Sequence, residues 1–149
     1  MKKIISFLVL MLGLSMGTRA QGDGGSVVPS IDPNAAEIKF ESEVLDYGII
    51  DYNANGIREF KFTNTGKSPL TITSVTGECG CTATTIDGKP GWPVEPILPG
   101  KSGVIKVKYD TSREGRFEKN VTVTSNSKFS TKKIRIKGEI KPKPSGSAN

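Results

Sequence analysis

The feature that most constrains this chain is a period-two alternation of apolar and polar residues, interrupted at short intervals by turn residues. Ile57–Asn64 sets Phe60 and Phe62 on one side and Lys61 on the other. Residues 104–109 set Ile105, Val107 and Tyr109 against Lys106 and Lys108, and residues 134–140 set Ile134 and Ile136 against Lys133, Arg135 and Lys137. Successive side chains of a strand point to opposite faces, so each stretch is a ribbon with one apolar side. Residues 37–42, 44–50, 70–75, 82–86 and 117–125 read as further strands, and no window of similar length carries a helical period. Asn64-Thr65-Gly66 marks a turn. Such alternation predicts antiparallel strands with one face buried and one wet. About seven or eight short strands in about a hundred residues predict an all-β, immunoglobulin-like antiparallel β-sandwich.

The 149 residues divide by composition. Lys2 and Lys3, an apolar run over 4–14, and the small-residue exit Thr18-Arg19-Ala20 predict a signal peptide over 1–20. The run is too short to stay in a membrane as a spanning helix, and no later stretch is apolar enough to span. Residues 21–36 are rich in Gly, Ser, Pro and Asn and predict a flexible leader; residues 141–149 predict a disordered polar tail. The folded domain is then 37–140. The expected location is outside the cytoplasm, soluble in the periplasm or secreted, where disulfides persist.

Both cysteines of the chain stand one residue apart, in Gly77-Glu78-Cys79-Gly80-Cys81-Thr82. On an extended strand their Cα atoms would lie about 6.6 Å apart. That is the far edge of the roughly 4.4–6.8 Å that a disulfide accepts, and Gly80 lets the backbone bend to shorten it. Three readings are open. The pair is a local bridge, or two packed thiols, supporting a turn. It is a redox pair, although the adjacent charge is Glu78 rather than a thiolate-stabilising cation. Or it is a soft-metal site for Cu(I) or zinc, short of ligands in a chain without histidine.

The absence of histidine also excludes Ser-His-Asp and Cys-His nucleophile systems. Gly66-Lys67-Ser68 and Gly100-Lys101-Ser102 imitate the end of a phosphate-binding loop, but Lys61 and Glu95 stand where its leading glycine belongs. Asp51, Asn53 and Asn55 before Gly56 match the opening of a calcium loop. Phe62 occupies the place of its bidentate glutamate, so a hairpin turn is the competing reading. Asn120-Val121-Thr122 fits the short N-glycosylation pattern. No cofactor is expected.

Residues 87–100 form the longest connection, with four prolines and Trp92. Trp92 either caps the core or offers a binding surface. Charge is unevenly spread: residues 21–100 carry five Lys/Arg against eleven Asp/Glu, and residues 101–149 thirteen against four. The outward row Lys133, Arg135 and Lys137 would attract an envelope protein or an acidic surface polymer. The same row would equally shield a sheet edge from pairing. Aromatic residues do not interleave with it, which argues against nucleic acid.

The ordered motifs resemble a known family. They are Phe40, Leu45-Asp46-Tyr47-Gly48-Ile49-Ile50, Glu59-Phe60-Lys61-Phe62-Thr63-Asn64-Thr65-Gly66, Pro69-Leu70-Thr71-Ile72, Cys79-Gly80-Cys81-Thr82, Pro96-Ile97-Leu98-Pro99-Gly100, Gly115-Arg116-Phe117 and Thr124-Ser125-Asn126. Together they resemble the bacterial domain-of-unknown-function family 1573, exported proteins frequent in Bacteroidetes. The resemblance implies a Hydin-like or major-sperm-protein-like immunoglobulin sandwich, a class of assembly and binding modules, and brings no catalytic activity. The function expected is therefore a non-enzymatic envelope module. The alternative is a periplasmic thiol-redox or copper-binding protein working through Cys79 and Cys81.

Overall fold

The computed structural model describes residues 32–146; the predicted signal peptide, most of the predicted leader and the last three residues of the predicted tail lie outside the described residues. The strands are β1 (Ile38–Phe40), β2 (Val44–Ile50), β3 (Ile57–Asn64), β4 (Ile72–Gly77), β5 (Thr82–Ala83), β6 (Thr85–Ile86), β7 (Lys89–Pro90), β8 (Ser102–Tyr109), β9 (Gly115–Ser125) and β10 (Thr131–Ile140). Eight of them form two four-stranded sheets, ordered β1-β3-β8-β5 and β2-β10-β9-β4, while β6 and β7 pair as a small hairpin. The all-β sandwich stands as the alternation predicts.

Two details differ from the alternation-based expectation. β2 runs parallel to β10, because residues 41–43 carry the chain from the first sheet to the second rather than turning it back. The run 82–86 is two strands, not one. β5 pairs with β8 and β6 with β7, and Thr84 between them donates its hydroxyl to the Val75 carbonyl at 2.7 Å.

The apolar sides face each other as their spacing requires. Phe60, Phe62, Ile105 and Val107 of the first sheet are fully buried. So are Val121, Val123 and Ile136 of the second, with Ile134 and Ile140 at 1% exposure. Each such side chain contributes about 1.5–3 kcal/mol by leaving water. Aromatic rings fill one end, where Tyr109 stacks on Phe117 at 3.7 Å and Tyr47 meets Phe117 edge-on at 5.2 Å. At the other end the buried Asn64 ties three segments together. Its Oδ1 accepts from the Glu37 and Gly66 amides, and its Nδ2 donates to the Ser68 and Ile97 carbonyls.

The domain's ends are held outside 37–140 as well. Ala36 is 1% exposed and bridges Ser127. Lys141 donates its amide to Ile50 and pairs with Asp51 at 2.9 Å.

Candidate functional site

Sheet edges decide where a sandwich can meet other molecules, because an edge strand presents unpaired N–H and C=O groups. β2 is blunted. Ser42 Oγ bonds both backbone groups of Val44, Asp46 Oδ1 takes the Gly48 amide, and Gly48 sits at φ +65° beside a register shift against β10. β4 is covered by residues 82–84, with Thr84 on the Val75 carbonyl. β1 is only three residues long.

The remaining edge is the start of β8. Tyr109 donates its amide to Gly56, so the odd-numbered residues of β8 bond to β3 and the even-numbered ones face away from it. Lys108 finds β5 there, and the Lys106 amide finds the Gly91 carbonyl at 2.6 Å. The pairing stops at that point. Gly91 turns its own amide to Thr84, and Pro93 has no N–H to give. Gly91 is required: a Cβ there would stand 2.5 Å from the Lys106 carbonyl oxygen. The backbone of Ser102 and Val104 on this side meets no strand among the described residues.

Beside this edge lies an open groove of about 550 Å³, lined by Ile86, Pro90, Trp92, Pro93, Val104 and Lys106 among others. Trp92 is half-buried, its inner side packed against the core. Val94 and Leu98 farther along the same loop are 63% and 56% exposed. Apolar side chains beside unpaired backbone, here Trp92, Pro93 and Val104, are what a docking surface needs. Trp92 was legible as a candidate; Val104, Val94 and Leu98 were not. The signal for them was a pair of apolar residues inside a proline-rich connection, next to a proline that ends a pairing.

The basic row is elsewhere. Lys133, Arg135 and Lys137 are exposed on β10, on the outer face of the second sheet, whereas Trp92 flanks the first. Trp92 and the row therefore do not form one surface. The edge-shielding reading of the row is also corrected, since β10 lies between β2 and β9 and is not an edge. Arg135 pairs with Glu118 at 2.5 Å and Lys137 with Asp46 at 3.4 Å, so part of the row's charge is answered within the sheet.

Cys79 and Cys81 sit in a turn, closed by the Thr82 amide on the Cys79 carbonyl, and their sulfurs are bridged. Bending at Gly80 brings the Cα atoms to 5.2 Å, well inside disulfide range. Cys81 is 3% exposed, and its carbonyl accepts the Asp110 amide. The turn is fastened to β9 by Glu78, whose carboxylate takes the amide and the side chain of Asn120. Asn120, the glycosylation candidate, is thus engaged in mid-strand.

The three calcium-loop candidates are each occupied separately. Asp51 pairs with Lys141, and Asn55 Oδ1 accepts the Ile57 amide within its own turn. Asn53 holds a left-handed φ of 58°, with its amide on Thr111. No group of three or more His, Cys, Asp or Glu placed to hold a metal occurs among the described residues.

The groups whose proton affinity the fold moves serve structure. The Gly48 amide, with Lys137 beside it, holds Asp46 below the usual carboxylate range, and Ser112, with Arg113, does the same for Asp110. Burial raises Tyr109, and pushes Tyr47 up to about 12.

Comparison with known proteins places the fold. The chain is similar to a protein of unknown function from Porphyromonas gingivalis W83, with TM-score 0.60 and 18% identity over 72% of this chain and 48% of that one. It is similar to the secreted serine protease VesC of Vibrio cholerae, with TM-score 0.53 and 12% identity over 70% and 23% of the two chains. The chain thus spans less than half the length of either. It is also similar to a PapD-like domain of human CEP192, with TM-score 0.56 and 8% identity over 84% of this chain and 100% of that one. At these identities the likeness carries the fold alone. No curated protein matches the chain. The model of the family described as protein of unknown function, DUF1573, matches residues 38–140, and the chain belongs to that family.

Proposed function

We propose that the protein is an exported, non-catalytic immunoglobulin-like module that docks another protein of the cell envelope on the Trp92 side of its first sheet. One observation carries this reading: the open backbone of β8 at Ser102–Val104 lies beside a groove walled by Trp92 and Pro93. Support for a non-catalytic role comes from the residues. The chain has no histidine, and the shifted groups Asp46, Tyr47, Tyr109 and Asp110 are explained by burial and by bonds within their own turns. Export is supported by the residues before Gln21, and no helix among the described residues is long and apolar enough to cross a membrane.

Site-specific photo-crosslinking in producing cells tests this. A photoreactive side chain at Val94 is expected to trap a discrete protein adduct, and one at Lys133 is not. Adducts from Lys133 alone, or from neither position, would contradict the surface. Full-length chain with residues 1–20 still attached, recovered from cytosol, would contradict export.

A further inference from the structure

We infer that the Trp92 groove takes an extended, acidic peptide segment of its partner, which adds as a short strand to the free edge of β8. This rests on the docking surface proposed above and names its occupant. The edge defines the backbone part. Ser102 and Val104 each turn an N–H and a C=O away from β3, and these four groups repeat at the spacing an incoming strand requires. Beyond them the Lys106 amide is already bonded to Gly91, so the added strand is limited to the stretch before Lys106.

The surroundings define the side-chain part. On the outer face of the first sheet, Lys61 stands directly across from Val104, and Lys108 lies two residues beyond Lys106 on the same face. Lys89 and Lys106 line the groove itself. Two acids stand among them: Glu59, bonded to Lys106 at 3.3 Å, and Asp87, which lines the groove beside Lys89, so the lysines outnumber the acids. Lys61, Lys89 and Lys108 are exposed and have no ion-pair partner among the described residues. A strand laid on Val104 would alternate its side chains. One set would meet Trp92 and Pro93, and the other would rise among these lysines. Apolar residues suit the first set and carboxylates the second.

Trp92 is the only tryptophan of the chain, so its emission reports the groove without a label. The probe is the acetylated, amidated heptapeptide TEVEVET. Its saturable titration should shift Trp92 emission, with affinity that falls as salt rises. The same peptide N-methylated at both valines and the central glutamate should bind about tenfold more weakly or worse. So should the parent peptide on V104P, a substitution at a position whose N–H is not used within the fold. The lysine analogue TKVKVKT should not bind. Three results would overturn the inference: no emission change at millimolar TEVEVET, equal binding of the N-methylated peptide, or a response to the polyuronate alginate with none to TEVEVET. N-methylated peptide on unaltered protein keeps the test sound if V104P does not fold. Crosslinks from Val94 that persist while TEVEVET fails would leave the docking surface in place and remove the acidic strand.

Discussion

Asn64 shows how much of the fold hangs on single polar side chains. It is fully buried and satisfies two amides and two carbonyls from three segments of chain. Removing it takes the partner from the Glu37 and Gly66 amides and the Ser68 carbonyl, while the Ile97 carbonyl keeps the Leu70 amide, at about 1–3 kcal/mol for each unpaired group that stays dry. We expect N64A to lose about 3–5 kcal/mol in urea unfolding. N64D should fare no better, because a carboxylate would face two carbonyl oxygens. Tyr47 makes a second residue-scale prediction. Its hydroxyl donates to the Gly56 carbonyl at 2.9 Å, and burial raises its pKa to about 12. Above the unfolded value near 10, the unfolded chain releases a proton that the folded chain keeps, so stability falls as pH rises from about 10 to about 12. The difference in unfolding free energy between the native protein and Y47F should therefore shrink across that window. A difference that stays constant would contradict the assignment. The sequence showed Asn64 as a turn residue and Tyr47 as part of a motif. Asn64 bonds Gly66 and Ser68 within its own turn but also reaches Glu37 and Ile97 far along the chain, and Tyr47 reaches Gly56 across the following turn; the strand pattern carries none of the longer bonds.

At the scale of elements, alternation was a faithful guide to strands and a poor guide to their neighbours. Val44–Ile50 and Ile57–Asn64 were legible to the residue, because burial on one face leaves a period of two. The same pattern says nothing of which strand lies alongside. The basic row on β10 looked like an edge from its lysines, yet β2 pairs with it in parallel and makes it interior. Pro93 and Gly91, by contrast, carried the open edge in plain view, but only once the Lys106 pairing was known. This gives opposite expectations for two prolines. I136P removes a ladder bond between two strands and should unfold the domain at room temperature, whereas V104P should shift the melting temperature by only a few degrees. Thermal unfolding followed by circular dichroism checks both. The Cys79–Cys81 turn makes a further prediction. A bridge spanning three residues removes little entropy from the unfolded chain, so the C79S/C81S double variant should cost under about 2 kcal/mol. Unreduced protein should show no titratable thiol. Free thiols in native protein would reopen the redox and metal readings.

At the scale of the whole molecule, the charge division of the sequence is largely folded back on itself. Of the seven ion pairs among the described residues, four join the acidic first part to the basic second part: Glu59–Lys106, Glu43–Lys132, Asp46–Lys137 and Asp51–Lys141. These are exposed pairs worth little each; Glu59–Lys106 lies on the first sheet, and the other three offset charge along the second. Among the described residues Lys133 keeps no ion-pair partner on the second sheet, and Lys61, Lys89 and Lys108 keep none on the first, where they lie near the unpaired backbone. That coincidence could not be read from charge counts, because it depends on which residues the parallel β2–β10 pair brings within reach. The account stands on the β8 edge being open. Amide hydrogen exchange of the free protein, resolved residue by residue, tests this most directly. Ile105, Lys106 and Val107 should be strongly protected and Val104 between Gly103 and Ile105 should exchange orders of magnitude faster. Protection of Val104 equal to that of Ile105 would mean the edge is already occupied, and would contradict the account.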